Sequence, residues 1–452
     1  MAYQKGGFLK TRPFFWINSM FIRLCKYVLP FFGILLLTFG CSDSNGKPFW
    51  TVMVYMAGDN NLSTALLNDL NEMEVVGSTE NVNVVVQIDT IAGTTRRLFV
   101  KRGGSTLLED LGEKNMADSQ TLKDFIIWTE TQYPSHRYAL ILSSHGDGLA
   151  KRIPFHTAKN QAKILQDDTD GVSCCLSNVL VRKAIEDAGV YFDLLGFDAS
   201  QMGQIETVYE FRNQAGILVL SQETGQANGW DYTAILDTLT NKPVMGGEEL
   251  ARVIVDSYKS FYEEIYYSQN PEFEHYLTIS AVRLGSKIND LAGAVDQLSV
   301  FLINGLTGEG QTVQELLTNS ITLSRKDSQE LNLLVVPYAY IDLLDFIRNM
   351  QNNLEDKKDL SLIIKQIRDM IEVIFTMKNE VIISEYHGSA RPHANGLSIA
   401  FYKLPEAFDY NTYDTDYKDY NQVTGEGREV QFINDTRWDE FLQTYYEKSG
   451  LL

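Results

Sequence analysis

Two stretches of sequence, YALILSSHGDG at Tyr138–Gly148 and FDLLGFDASQMG at Phe192–Gly203, share one design. Each begins with an apolar run of strand-like length and continues into glycine and polar residues. The first run leads to His145 and the second leads to Ser200. In open α/β sheets the ligand site lies outside the carboxyl ends of the strands. The two stretches therefore predict a cleft at which His145 and Ser200 converge.

Further strand-like runs flank these stretches and alternate with helical patterns. Strands are predicted at Phe49–Met56, Val82–Asp89, Tyr138–Ser144, Phe192–Asp198 and Gly216–Ser221, with Arg96–Lys101 as a short hairpin partner. Helices are predicted between them at Thr64–Val76, Ser119–Gln132, Ser177–Ala188 and Gln201–Arg212. Such alternation implies right-handed crossovers and a mainly parallel sheet covered by helices on both faces. The predicted fold class is therefore α/β.

The pattern changes near Pro243, beyond which helices predominate. A long amphipathic helix is predicted at Gly247–Tyr267, and later strands are predicted at Leu277–Arg283, Glu380–Glu385 and Gly396–Tyr402. We therefore predict a core domain at residues 49–242 and a helical and mixed α/β subdomain at residues 243–452. With 452 residues and 44% hydrophobic content, the chain can bury cores of this size.

The first 40 residues differ in composition from the rest of the chain. They contain no acidic residue, and the apolar run Tyr27–Gly40 is short for a membrane span. This pattern predicts a signal peptide at residues 1–40, with Met20 as an alternative start, and an uncleaved membrane anchor is the other interpretation. Cys41 follows LTFG and precedes the polar stretch SDSNGK. The basic residues of this segment are Lys5, Lys10, Arg12, Arg23 and Lys26.

The segment around Cys41 resembles a bacterial lipobox, although Thr38 and Phe39 depart from its commonest residues. The resemblance implies that Cys41 is lipidated after cleavage and that residues 41–48 form a tether. We therefore expect an exported protein, lipid-anchored to the bacterial membrane on its periplasmic or surface face. A single acyl chain anchors only marginally, whereas lipoproteins carry several.

The chain is strongly acidic, with a formal net charge of −20. This charge argues against binding to nucleic acid or to anionic membrane surfaces, because phosphate binding needs clustered Lys and Arg. It is compatible with cationic peptide substrates, and solubility alone would also explain it. Beyond Cys41 only Cys174 and Cys175 remain, and adjacent cysteines seldom pair, so the sequence contains no disulfide framework. Neither cysteine directly follows a strand as a nucleophile would.

Hydrolysis of a peptide bond needs a nucleophile, a base and hydrogen-bond donors for the developing oxyanion. Ser200 is the candidate nucleophile and His145 the candidate base. The backbone amides of Gly146 and Ser200 are the candidate donors, because Ser200 is predicted to begin a helix. On the residues alone, a helix N-cap is the alternative role for Ser200. His387, in VIISEYHG, is a rival histidine, and no spacing of His, Cys and carboxylates suggests a catalytic zinc site.

Several ordered motifs resemble those of the clostripain family of cysteine peptidases, which has a caspase-like fold. The resemblance extends from Trp50 to Tyr402, and in it the histidine of the HG motif matches His145. The family's DAC motif aligns with Asp198–Ser200, so that Ser200 occupies the position of the catalytic cysteine. The motifs are TVMVYMAGDNNLS at Thr51–Ser63, LILSSHGDG at Leu140–Gly148, DASQMGQIE at Asp198–Glu206, SQETGQANGWDY at Ser221–Tyr232 and ANGLSIAFY at Ala394–Tyr402.

The resemblance implies cleavage of polypeptides after Arg or Lys, with Asp198 as the acid that binds the basic side chain. It places Ser221, Glu223, Trp230 and Asp231 in a wall of the same pocket. Activation by cleavage would fall in the loop Leu149–Leu165, which contains Lys151, Arg152, Lys159 and Lys163.

Calcium is the cofactor that the resemblance implies. Its candidate ligands are Asp167, Asp168 and Asp170, on composition alone. The stretch Asp409–Asn421 is also rich in Asp and is predicted to be a solvated loop, with a cation site as the alternative. No other cofactor is expected.

The serine at position 200 decides how much of the family's chemistry applies. A thiol has a pKa near 8.5 and ionises easily, whereas a serine hydroxyl needs a tightly coupled base and usually a third, orienting group. We therefore expect an endopeptidase homologue with impaired activity. The alternatives are a catalytically silent module that binds basic peptides and a purely structural surface lipoprotein.

Overall fold

The computed structural model describes residues 46–146, 148, 164–167, 174–331, 340–357, 360–402 and 430–450. Several predictions concern residues outside these ranges. They are the signal peptide, lipidation of Cys41, nearly all of the loop Leu149–Leu165, the aspartates Asp168 and Asp170, and the stretch Asp409–Asn421. None of the described helices is long and apolar enough to cross a membrane.

The described strands include the predicted ones and several short additional ones. They are β1 (Trp50–Gly58), β2 (Val82–Thr90), β3 (Arg96–Lys101), β4 (Gly104–Asp110), β5 (Arg137–Ser143), β6 (Ile164–Asp167), β7 (Cys174–Leu176), β8 (Leu194–Asp198), β9 (Ile217–Leu220), β10 (Thr278–Arg283), β11 (Glu330–Leu331), β12 (Tyr340–Asp342), β13 (Ile382–His387) and β14 (Ser398–Ala400).

The described helices connect these strands. They are α1 (Ser63–Val76), α2 (Ser119–Gln132), α3 (Asn178–Ala188), α4 (Ile205–Glu210), α5 (Tyr232–Asn241), α6 (Gly247–Ser260), α7 (Tyr267–Gln269), α8 (Ser286–Thr307), α9 (Gln311–Asp327), α10 (Leu343–Leu354) and α11 (Leu362–Val381), with Gln431–Asp435 and Trp438–Ser449 near the C-terminus. A π-helical turn at Phe261–Tyr266 joins α6 to α7, and a 3₁₀ turn at Glu355–Lys357 follows α10.

Nine of the described strands form one sheet in the order β13-β10-β9-β8-β5-β1-β2-β3-β4. The five central strands, from β9 to β2, are parallel, and two antiparallel strands continue the sheet at each edge. This arrangement confirms the predicted α/β class with a mainly parallel centre. The hairpin partner of β3, which is β4, was not predicted.

Both faces of the sheet are covered, because every residue of β1 and β2 is buried. Val52 and Val54 pack in a core with α1, α5 and α6. Met53 and Tyr55, which point the other way, pack in a second core with α2, α3, α4 and α8. The near-continuous apolar runs therefore reflect strands that are buried on two sides, as parallel sheets require.

Residues 47–452 form one compact unit. β10 lies beyond the predicted boundary between residues 242 and 243 and pairs with β9, so the second segment adds a strand to the sheet of the first. β13 then pairs with β10, so the two strands at this edge of the sheet both come from the second predicted domain. A smaller sheet, β11-β12-β14, belongs to the mixed C-terminal part.

The register of the central strands aligns their carboxyl ends. In the parallel pair β5 and β8, Ser143 lies opposite Asp198, and in the pair β1 and β5, Met56 lies opposite Ser143. His145 lies two residues after Ser143, and Ser200 lies two residues after Asp198, which is the partner of Ser143. The register therefore carries both side chains to the same edge of the sheet.

Candidate active site

Two residues join the ends of β1 and β5 below the candidate site. Buried Asn60 donates hydrogen bonds from Nδ2 to the carbonyl oxygens of Ala57 and Gln166, at 2.9 and 2.7 Å. Ser144 donates from Oγ to the carbonyl of Ala57 at 2.8 Å and accepts from the amide of Gln166 at 3.2 Å. These bonds fix the backbone that immediately precedes His145.

His145 lies against the turn that follows β1. Its Nε2 atom is 2.6 Å from Oδ1 of Asn61, a distance that makes a strong hydrogen bond with the ring nitrogen as donor. Asn61 lies within the motif TVMVYMAGDNNLS but was not among the predicted site residues. Its only sequence signal was an amide residue in the short connection between β1 and α1. Asn61 holds the imidazole ring as the orienting residue of a catalytic triad does.

Ser200 lies in a sharp turn and does not cap a helix. The predicted helix Gln201–Arg212 begins only at Ile205, and Gln204 occupies the N-cap position. Gln201 has a φ of 61°, which is uncommon for a residue other than glycine and interrupts any continuation from the strand into a helix. The expected contribution of a helix dipole at Ser200 is therefore wrong, and the strained backbone lies at the next residue, Gln201.

Buried contacts hold the turn at Ser200 in place. The side chain of Gln201 is fully buried and donates to Oγ1 of Thr224 at 2.8 Å, while its backbone amide donates to the carbonyl of Glu223 at 2.9 Å. Oγ of Ser200 accepts a hydrogen bond from the amide of Gly225 at 3.0 Å. The serine side chain is thus directed at the stretch Ser221–Tyr232.

Gly146 packs directly on the turn of Ser200. A Cβ atom at Gly146 would lie 2.4 Å from the carbonyl oxygen of Ser200, so only glycine fits here. Within the described residues, neither the amide of Gly146 nor that of Ser200 donates a hydrogen bond to the protein. Two adjacent backbone donors beside a nucleophile are what an oxyanion hole requires.

A cavity of about 180 Å³ opens beside these residues. Its lining includes five of the residues singled out in the sequence, which are His145, Asp198, Ser200, Ser221 and Trp230. A further acid of the lining, Asp69 on α1, was not among the predicted site residues. The structure thus brings the candidate base, nucleophile and specificity acid to one cavity.

Asp198 lies at the end of β8 with its carboxylate held by neighbouring donors. Oδ2 accepts from the hydroxyl of Tyr232 at 2.9 Å and from the amide of Trp230 at 3.3 Å. Gly229, with a φ of 60°, passes so close that a Cβ atom would lie 2.8 Å from Oδ2. Burial raises the pKa of Asp198 to about 6, although the two hydrogen bonds act in the opposite direction.

Two further acids lie close to Asp198. Burial and then the nearby charges of Asp198 and Glu72 raise the pKa of Asp69 to about 9. Burial likewise raises the pKa of Glu72 to about 7, against a hydrogen bond from the amide of Tyr232. Ionisation of a second acid beside Asp198 is therefore unfavourable.

Two other predicted pocket residues have structural contacts instead. Glu223 is only 2% exposed, lies outside the cavity lining, and pairs through Oε1 with Nε of Arg391 at 2.6 Å. Asp231 caps α5, accepting from the amide of Ala234 at 2.9 Å. The rival His387 pairs with Thr278 across β10 and β13 and does not line the cavity.

No group of three or more metal-ligating side chains occurs within the described ranges. The carboxylate of Asp167, one of the calcium candidates, is buried and accepts from the amide of Met116 at 2.8 Å. Calcium binding stays a prediction.

Comparisons with known proteins agree on one family. Residues 54–445 match the model of the clostripain family, Peptidase_C11. Clostripain from Hathewaya histolytica is 24% identical over 433 residues, which cover 83% of this chain and 78% of that protein.

Two solved structures share the fold. A secreted C11 cysteine protease from Bacteroides thetaiotaomicron, in complex with an irreversible peptide inhibitor, superposes with a TM-score of 0.61 at 20% identity, covering 87% of this chain and 100% of that one. An inactive zymogen C11 protease from Parabacteroides distasonis superposes with a TM-score of 0.57 at 20% identity, covering 83% and 99%.

Neutralising Asp198 should stabilise the protein at alkaline pH. An acid whose pKa is raised in the folded state destabilises the fold progressively as pH rises from its unfolded-state pKa of about 4 to its folded-state pKa, so Asp198→Asn removes a penalty that is small at pH 4 and complete at pH 8. We expect a gain of about 1–2 kcal/mol at pH 8 and almost none at pH 4, measured by urea unfolding. The exposed Asp237→Asn on α5 is the control, and an equal gain at both pH values would contradict the explanation.

Proposed function

Because the chain belongs to the clostripain family of peptidases, we propose that its cavity binds an Arg or Lys side chain of a polypeptide and that Ser200 leaves peptide hydrolysis strongly impaired. In this proposal Ser200 stands where active relatives have their nucleophilic cysteine. His145 is the base, the amides of Gly146 and Ser200 form the oxyanion hole, and Asp198 binds the basic side chain. Trp230 forms part of the cavity wall.

The hydrogen bond between His145 and Asn61 carries the proposal. In a Cys–His pair the thiolate is formed before attack, so an amide suffices to orient the imidazole ring. A serine must transfer its proton to the histidine during attack, and the resulting imidazolium then needs a carboxylate to stabilise it. Replacing that carboxylate by an amide in a serine peptidase lowers kcat by about 10⁴-fold. The described orienting contact thus suits a thiol better than the hydroxyl of Ser200.

The hydrogen bonding of Ser200 itself also favours impaired hydrolysis. Its Oγ accepts a hydrogen bond from the amide of Gly225, which occupies one of the two lone pairs of the hydroxyl oxygen. In a productive cycle His145 would take the proton of Ser200, and the two backbone amides would stabilise the oxyanion. His145 would then donate that proton to the leaving amine.

Recognition of a basic side chain rests on charge. Asp198 presents a carboxylate to the cavity, and no Lys or Arg occurs among the described residues that line it. A guanidinium or ammonium group of the substrate would supply the missing positive charge. The same cavity could hold a basic peptide without cutting it, and the contact between Gly225 and Ser200 favours this silent binding module as the second candidate.

We propose that the protein is exported and lipid-anchored through Cys41. The basic N-terminal segment and its short apolar run support this location, and the secreted relative from Bacteroides thetaiotaomicron supports export alone. Cleavage of the loop Leu149–Leu165 would need another protease, because the protein's own site is impaired.

Converting Ser200 to cysteine should create activity. We expect the wild-type chain to hydrolyse Arg and Lys peptide amides at least about 10³-fold more slowly than Ser200→Cys, because only the thiol ionises readily beside His145. The measurement is release of a fluorescent amine. Ser221→Cys places a thiol in the same cavity away from the turn and should stay inactive. Wild-type turnover that is comparable to that of Ser200→Cys and is abolished by Ser200→Ala would contradict impairment.

In the Ser200→Cys background, Asn61→Ala should lower kcat by about 10–100-fold with little change in KM, because Asn61 orients the base and does not touch substrate. Steady-state kinetics on an Arg peptide amide separate the two parameters. Asn71→Ala, an exposed change on α1, is the matched control. An unchanged kcat would remove Asn61 from the proposed site.

Replacing Cys41 tests the anchor. The wild-type protein should partition into the detergent phase of a bacterial extract, whereas Cys41→Ser should move to the aqueous phase, because the acyl chains supply the membrane affinity. Cys174→Ser is the control. Aqueous partition of the wild-type protein would refute lipidation.

A further inference from the structure

Asp69 is a buried acid that faces the candidate active site from α1. One face of α1 and its N-cap residue line the cavity. The residues on this face are Leu62, Ala65, Leu66 and Asp69, which are spaced three and four residues apart. Asp69 is only 2% exposed. The described part of the chain provides no hydrogen bond or ion pair to its carboxyl group. This acid therefore reaches the cavity without a partner of its own.

An unpartnered buried acid is costly, and no described side chain pairs with this one. Buried polar groups are almost always hydrogen-bonded, and buried charges are almost always paired. A second carboxylate, that of Asp198, lies near enough to raise the pKa of Asp69. Within the described residues, no Lys or Arg lines the cavity. Two acids with no internal cation are the arrangement expected for a site whose cation arrives with the ligand.

We infer that Asp69 is a second specificity residue, which joins Asp198 in binding the guanidinium of an Arg substrate and makes the cavity prefer Arg to Lys. The inference rests on the proposed function, because it assumes that basic peptides enter this cavity. It adds to that function a residue on a different element and a choice between the two basic side chains.

The chemistry of the two cations explains the preference. A guanidinium is planar, carries five N–H donors on three edges and is weakly hydrated, so it can satisfy two carboxyl groups at once. An ammonium is a compact and strongly hydrated point charge, which costs more to desolvate in a buried site. A site with two carboxyl groups, one on α1 and one on β8, therefore favours the guanidinium of Arg over the ammonium of Lys.

Binding should also release a proton. At neutral pH the acid pair holds a proton on Asp69, and an arriving guanidinium favours the ionised form, which lowers the pKa of Asp69. The other titratable groups around Asp69 are Asp198 on β8, Glu72 on α1 with its neighbour Asp231, Tyr232 on α5, Tyr258 on α6, Tyr262 in the π-helical turn and His145 across the cavity.

A measurement at pH 8 isolates Asp69 among these groups. The pKa of Asp198 is about 6 and that of Glu72 about 7, so both are largely ionised, whereas burial keeps the three tyrosines neutral. The pKa of Asp69, about 9, leaves it protonated at this pH. Release of about 0.5–1 proton per bound ligand is therefore expected from Asp69.

The experiment is calorimetric titration of the full chain, carrying Ser200→Ala to prevent turnover, with Nα-benzoyl-Arg amide and Nα-benzoyl-Lys amide. Titrations in two buffers of different ionisation enthalpy give the proton release. We expect the Arg ligand to bind at least about 10-fold more tightly than the Lys ligand. Asp69→Asn should reduce this ratio to about 3 or less and abolish the proton release.

Matched variants separate the possible outcomes. Glu74→Gln removes another carboxylate of α1 that does not line the cavity, and it should preserve both readouts. Asp69→Leu, which has a similar shape and no polar side-chain atom, should reproduce Asp69→Asn, and thermal melting verifies that both variants fold. An Arg preference and proton release that persist in both variants would overturn the role of Asp69 alone. Failure of the parent chain to bind either ligand would overturn the proposed function, and with it the inference.

Discussion

The parallel pairing of β5 with β8 is the constraint on which the rest of the site depends. Ser143 lies opposite Asp198, so His145 and Ser200 leave the sheet at equivalent positions. A shift of the register by one residue would turn each strand over and exchange its two buried faces. Because helices cover both faces, such a shift would place the wrong residues in both cores. The packing of the cores therefore also determines the geometry of the candidate active site.

Close backbone approach is the second constraint, and it explains the glycines of the motifs. Gly146 rests on the carbonyl of Ser200, and Gly229 passes beside the carboxylate of Asp198. Neither position tolerates a Cβ atom at the observed separations. Gln201 has an unusual positive φ, and its buried hydrogen bonds to Thr224 and Glu223 compensate for the strain. The loop Ser221–Tyr232 thus supports the turn of Ser200 as well as the wall of the cavity.

The acids at the cavity floor oppose the stability of the fold. Asp69 and Asp198 are held where burial and mutual repulsion disfavour ionisation, and no cation among the described lining residues relieves them. Natural proteins retain such unfavourable groups where binding or catalysis depends on them. By contrast, the buried carboxylate of Glu223 has the guanidinium of Arg391 beside it. This ion pair marks it as part of the framework.

The sequence by itself indicated which segments form the central strands and helices, the mainly parallel sheet and the two candidate residues beyond its strands, because apolar periodicity and turn residues are local signals. It also indicated the family, through motifs that keep their order along the chain. Only the tertiary structure decided that Asn61 contacts His145, that Asp69 faces the cavity, and that the turn of Ser200 precedes the helix. These facts depend on which side chains meet across elements distant in sequence. No local pattern encodes such contacts, since they follow from packing and register together.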